Sequence, residues 1–93
     1  MARPTLYISR LLPDPVMTAA QERFQLLNEP RDIPPSWETV KAALHQADAA
    51  ICTLTDRVDA AMLSGVTRLK VLANYAVGYN NIDIAAADRQ GVV

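Results

Sequence analysis

Residues 49–73 read AAICTLTDRVDAAMLSGVTRLKVLA, and the order of elements inside that stretch decides the fold. Residues 49–54 are a continuous small and apolar run, the pattern of a strand covered on both faces. Asp59 precedes Ala60, Ala61, Met62 and Leu63, where its carboxylate can cap a short helix that Gly65 ends. Residues 70–73 then form a second buried strand. A helix between two strands makes a crossover, which predicts that the strands run parallel and that the connection is right-handed.

The same alternation continues outward in both directions. Residues 5–9 are β-branched, apolar and aromatic between Pro4 and Pro13, which predicts the first strand. Asp14-Pro15 predicts a helix start, with the carboxylate as cap and proline at the first helical position. Val16, Ala20 and Phe24 form its expected apolar stripe. Residues 25–28 read as a short second strand, and residues 28–35, with Pro30, Pro34 and Pro35, as a loop. Ser36 is the next cap, and Trp37, Val40, Leu44 and Ala47 fall on one helical face. Downstream, Asp83 caps residues 84–90, Gly91 supplies a left-handed stop, and Val92-Val93 open one more strand.

Strand and helix thus alternate four times, with the chain stopping as a fifth strand begins. The expected fold is α/β: a flavodoxin-like, doubly wound parallel sheet with helices on both faces, truncated at the start of its fifth strand. Such sheets bind ligands beyond the carboxyl ends of their strands. The segments placed there are residues 9–12, 54–58 and 74–81.

Composition narrows the partners. A chain of 93 residues makes one small domain, 51% of it hydrophobic and 20% charged, as in an ordinary globular protein. The net charge is −1 and the nine basic residues are scattered, so neither nucleic acid nor an anionic membrane is an expected partner. The single cysteine, Cys52, permits no internal disulfide and no thiolate metal cluster. The first apolar run is too short for a signal peptide or a membrane span, and a cytoplasmic location is expected.

The most informative crevice segment is Asn74-Tyr75-Ala76-Val77-Gly78-Tyr79-Asn80-Asn81-Ile82-Asp83. A lone glycine just past a strand permits positive φ, so successive backbone N–H groups can converge on an anion such as a carboxylate. The same glycine also suits a plain strand-to-helix turn, and spacing alone leaves both readings open.

The longer run LKVLANYAVGYNNID, residues 69–83, followed by Ala86, Arg89, Gly91 and Val92, resembles the segment that ends the first domain of D-2-hydroxyacid dehydrogenases. Residues 54–63, LTDRVDAAML, are similar to the glyoxylate and hydroxypyruvate reductase branch of that family. The resemblance covers residues 49–93; the first half agrees only in its element order. It implies that the backbone amides of Val77 and Gly78 hold a substrate carboxylate, and that Leu54 and Ala76 line the pocket. It implies hydride transfer between NAD or NADP and a small 2-oxo acid such as glyoxylate or hydroxypyruvate. Asn74 stands where the phosphoglycerate dehydrogenase branch tends to carry arginine, which favours an unphosphorylated substrate. Asn80 stands where aspartate is common in the family.

The resemblance also implies what residues 1–93 lack: the family's catalytic arginine, glutamate and histidine, and the dinucleotide-binding domain with its Gly-x-Gly-x-x-Gly loop. Gly65, Gly78 and Gly91 are too far apart to make that loop. The chain is therefore expected to be an incomplete substrate-binding domain that binds no cofactor, is inactive alone, and belongs to a parent that dimerises through the missing domain. Exposed apolar surface and a free strand edge are expected to favour self-association. A free-standing, non-catalytic module of the same fold, binding a carboxylate or a protein, is the alternative, since the fold does not compel catalysis.

The remaining candidates point to structure. His45 reads as a solvated surface histidine, Cys52 as a small buried hydrophobe, and Trp37 as core. Capping accounts for Asp59 and solvation for Asp56. Receiver domains need acids after the first strand and flavodoxins a Ser/Thr-rich loop, but residues 9–12 read Ser-Arg-Leu-Leu.

Overall fold

A computed structural model describes residues 3–53, 56–75 and 82–92, with the side chain of Tyr75 excepted. The elements run β1 (Thr5–Ile8), α1 (Asp14–Arg23), β2 (Gln25–Leu26), α2 (Trp37–Leu44), β3 (Ala49–Thr53), α3 (Ala60–Leu63), β4 (Val71–Tyr75) and α4 (Ile84–Arg89). The strands form one sheet in the order β2-β1-β3-β4, and every pairing is parallel. This is the doubly wound arrangement the alternation predicts.

The strand order explains where the helices lie. The step from β1 to β2 moves one way across the sheet, and the later steps move the other way, so right-handed crossovers put α1 on one face and α2 to α4 on the opposite one. The core divides accordingly. Tyr7, Ala50 and Cys52 of the sheet pack with Val40 and Leu44 of α2, Met62 and Leu63 of α3, and Ala86 and Ala87 of α4. Leu6 and Ile8 pack on the other face with Leu12, Met17 and Ala20. Each large apolar side chain removed from water in this way stabilises the fold by roughly 1.5–3 kcal/mol.

Helix ends follow local chemistry. Ser36, Asp59 and Asp83 cap α2, α3 and α4, accepting from the backbone N–H groups of Thr39, Met62 and Ala86. At the end of α4, Gly91 takes a φ of 76°. Its N–H donates to Asp88 O and that of Val92 to Ala87 O, at 3.0 and 2.9 Å, which is the Schellman pattern. Val92 is thus spent on stopping a helix rather than opening a strand, and Val93 lies outside the described residues.

Three local expectations are corrected. Asp14 does not cap α1: Pro13 holds the cap position with no side-chain hydrogen bond, and the Asp14 carboxylate sits in the first turn, favourable to the helix dipole. The buried stripe of α1 is Met17 and Ala20, while Val16 is partly exposed, because α1 covers only part of the sheet. For the same reason β3 and β4 are not covered on both faces. Ala50 and Cys52 are buried, but Ala49, Ile51 and Thr53 are half-buried, Ala73 is exposed, and Val71 is 47% exposed. Val16, Phe24, Ala49, Ile51, Val71 and Ala73 line an open apolar groove of about 380 Å³ on that face.

Two polar side chains tie the sheet together. Asn28 extends the short β2 ladder: its side-chain amide donates to Ile8 O at 2.8 Å and accepts from Ile8 N–H at 3.3 Å. At the opposite end of the strands, Asp48 Oδ2 accepts from Thr5 N–H at 2.8 Å, and its Oδ1 accepts from Arg68 Nε at 2.9 Å. Its backbone also joins β1 to the start of β4, through Thr5 O and Lys70 N–H. The Arg68 guanidinium and the Thr5 amide hold the Asp48 carboxyl below its ordinary 3.8.

Candidate functional site

Parallel pairing brings the carboxyl ends of β1, β3 and β4 to one edge of the sheet. β3 and β4 pair from Ala49↔Val71 to Thr53↔Tyr75, so both strands stop side by side. Beyond them Val58 and Ile82 form a parallel bridge, and Asp83 N–H donates to Val58 O at 2.8 Å. The chain leaving β3 and the chain entering α4 are therefore tied together on the far side of the crevice. β1 contributes Ser9, whose N–H donates to Ile51 O at 3.0 Å.

The residues expected to touch a ligand, Leu54, Ala76, Val77 and Gly78, lie outside the described residues. The described residues near the carboxyl ends of the strands are arranged as follows. Asn74, half-buried on β4, lines a groove of about 600 Å³ with Leu72, Ile82, Ile84, Ala87 and Val92. On the β1 side, Leu11 N–H donates to Arg31 O at 3.0 Å and Arg10 Nη2 pairs with Asp32 Oδ1 at 2.9 Å. These contacts hold the proline-rich loop over the carboxyl end of β1.

Asp56 differs most from its sequence reading. It is not a solvated carboxylate but is 3% exposed, enclosed at the carboxyl ends of β1 and β3. Its Oδ2 accepts from the hydroxyl of Ser9 and from Thr53 N–H, the latter at 2.8 Å. Its own N–H donates to Thr53 O at 3.0 Å. Burying a carboxylate costs less where hydrogen bonds replace part of its hydration, as these do at Oδ2. Its negative charge is felt nearby. Burial first, then Asp56, then Cys52, push the Tyr7 hydroxyl up to about 12. Burial and Asp56 push the Cys52 thiol up to about 12 as well.

The signal that could have found Asp56 is faint. A hydroxyl residue ends one apolar run and an acid follows another, but they meet only because β1 and β3 are neighbours.

The other candidates resolve into structure. Cys52 is fully buried and un-ionised at neutral pH, so it packs as a small hydrophobe. Trp37 is partly buried against the core, with its indole N–H donating to Asp59 Oδ2 at 3.1 Å. Asp59 thus does more than cap. His45 is not simply solvated: its Nε2 lies 2.9 Å from Met62 O and links the end of α2 to α3. The described glycines, Gly65 and Gly91, take φ of 78° and 76° after helices, not at a strand-to-helix turn where a pyrophosphate would sit. Among the described residues no group of three or more His, Cys, Asp or Glu could hold a metal, and no helix is long and apolar enough to cross a membrane.

Comparison with known proteins agrees with this frame. The chain is 37% identical over 93 residues to a glyoxylate reductase of Thermofilum pendens, covering 99% of this chain and 27% of that enzyme. It thus spans about a quarter of the length of such curated relatives. Among solved structures, a Pyrococcus horikoshii protein superposes with a TM-score of 0.85 at 23% identity, over 97% of this chain and 26% of its own. The NAD+-bound 3-phosphoglycerate dehydrogenase of Entamoeba histolytica superposes with a TM-score of 0.78 at 18% identity, over 99% of this chain and 32% of its own. The family model for the catalytic domain of D-isomer specific 2-hydroxyacid dehydrogenases matches residues 7–93, and the chain belongs to that family.

Proposed function

We propose that this chain is the substrate-binding part of a cytoplasmic oxidoreductase that transfers a hydride between NAD(P)H and a small 2-oxo acid such as glyoxylate or hydroxypyruvate. Residues 1–93 form an incomplete substrate-binding domain, and the dinucleotide-binding domain and the catalytic acid belong to parts outside it. The parent acts as a homodimer through that second domain. The observation that carries this reading is the paired ending of β3 and β4 at Thr53 and Tyr75, with Val58 bridged to Ile82 beyond it. The described strand ends thus meet at the carboxyl edge, where doubly wound sheets take their ligands, which supports a ligand role for the sequence that directly follows them.

The backbone amides of Val77 and Gly78 hold the substrate carboxylate, while Leu54 and Ala76 bound the pocket. Members of the family bind NAD or NADP, and the reduced nicotinamide supplies the hydride that adds to the keto carbon. The residues of this chain do no proton transfer. They fix the carboxylate and so orient the keto carbon, which converts a bimolecular encounter into a positioned one. Asn74 and the absence of a cation on β4 suit a substrate without a phosphate.

Titration of the ¹⁵N-labelled chain with oxalate, an unreactive mimic of a 2-oxo acid, tests the reading. Saturable shifts at the amides of Val77 and Gly78 are expected, with no activity toward glyoxylate and NADH. Oxalate that leaves those amides unmoved, or shifts only amides at the opposite end of the sheet, overturns it.

A further inference from the structure

Carboxylate binding by residues 77 and 78 gives no task to the buried pair Ser9 and Asp56. We propose that Ser9 and Asp56 are positioning residues, a latch that sets the ligand crevice by fastening the chain after β3 to the end of β1. The inference rests on that crevice being the ligand site.

The connections run through named atoms. Ser9 directly follows β1 and is itself anchored to β3 by its N–H on Ile51 O. Its hydroxyl donates to Asp56 Oδ2, which also takes the N–H of Thr53 at the end of β3. Thr53 and Asp56 are joined a second time by the Asp56 N–H on Thr53 O, so the residues on either side of positions 54 and 55 are fixed to each other. Two residues further, Val58 bridges Ile82 and accepts the N–H of Asp83, which caps α4. The carboxylate therefore ties the carboxyl end of β1 to the exit of β3, and Val58, two residues further along the chain, carries that tie to the entry of α4.

An apolar residue at position 56 would fill the same space without the cost of burying a charge. A hydrogen-bonded carboxylate differs in accepting only one arrangement of its donors, so it holds its neighbours in one geometry.

Amide hydrogen exchange on the 93-residue chain separates positioning from general stabilisation. The variants are Ser9→Ala and Asp56→Asn, with Ser9→Thr as the conservative control. The reporter is the Asp83 amide, bonded to Val58 O. The controls are the Asp48 and Lys70 amides at the other end of the strands, bonded to Thr5 O and Asp48 O.

In Ser9→Ala and Asp56→Asn the Asp83 amide is expected to exchange about tenfold faster or more, the loss of one hydrogen bond to a charged group, with the control amides changed by less than about twofold. Ser9→Thr restores slow exchange. Equal acceleration of all three amides, no acceleration of Asp83, or failure of either variant to fold overturns the assignment. Oxalate titration of the same samples keeps the two readings apart. No binding by the native chain sinks the carboxylate site and leaves the exchange comparison intact. Binding that Ser9→Ala leaves unweakened severs the latch from the ligand.

Discussion

Replacing Leu44 with alanine should open Cys52 to thiol reagents without any change at Cys52 itself. Leu44 is fully buried on α2, in the same cluster as Cys52 on β3. In the native chain the thiol is doubly protected. It has no exposed surface, and its pKa is pushed from 9.0 up to about 12. At pH 8 a thiol near 12 is ionised to about one part in 10⁴, against about one in ten for an ordinary one, and only the thiolate reacts. Labelling therefore proceeds through opening, at a rate set by the open population when reclosing is fast.

Truncating a buried leucine to alanine costs about 2–5 kcal/mol, through lost burial and the cavity left behind. At about 1.4 kcal/mol per factor of ten, the open population and the labelling rate should rise by between ~30-fold and ~4,000-fold. The assay is the absorbance of released thionitrobenzoate at pH 8, with a urea-unfolded sample setting the unprotected rate. A native chain that labels within about threefold of the unfolded control would refute the enclosure of Cys52. A Leu44→Ala variant that labels no faster than native would refute the packing of α2 over β3.

Other consequences can be checked in the same way. Asp59→Ala removes both the α3 cap and the acceptor for the Trp37 indole, and should cost about 2–4 kcal/mol by urea titration. Asp59→Asn, which can still cap, should cost less; equal losses would count against the capping role. The Asp48 carboxyl is held below 3.8 in the fold, so its stabilisation is present above the unfolded value and is lost as pH falls through the folded one. Asp48→Asn should lower the urea midpoint at pH 6, with the difference from native shrinking as the pH falls below the ordinary carboxylate range, and a difference that persists undiminished in acid would refute this linkage. Val71→Lys places a charge in the uncovered face of β3 and β4 and should reduce self-association in sedimentation velocity. A native chain that sediments as a monomer, or a distribution unchanged by the substitution, would refute self-association through this face.

Much of the architecture was legible because it depends on neighbours in the chain. Ser36, Asp59 and Asp83 cap helices whatever the rest of the protein does, since a cap satisfies N–H groups two or three residues away. Gly91 stops α4 for the same local reason, and the face of α2 follows from helical period. Alternation of strand and helix then leaves little choice but a parallel, doubly wound sheet. The run from Leu69 to Asp83 carried the family, because a long stretch of specified residues is more restrictive than any single glycine.

What escaped the sequence were quantities set by partners distant along the chain. A continuous apolar run in residues 49–54 does not say whether both faces are covered. That depends on α1 lying over β1 and β2, which leaves Val71 and Ala73 exposed. Asp56 looks like any polar residue after a strand, and only the adjacency of β1 and β3 seals it beneath Ser9, 47 residues away. His45 likewise meets the carbonyl of Met62 only once α2 and α3 share a face. By itself the sequence determined the elements and their order, because short-range sterics and hydrogen bonding decide those. The tertiary structure alone decided which charges are buried and which apolar surface stays open, because burial is a property of the assembled layers.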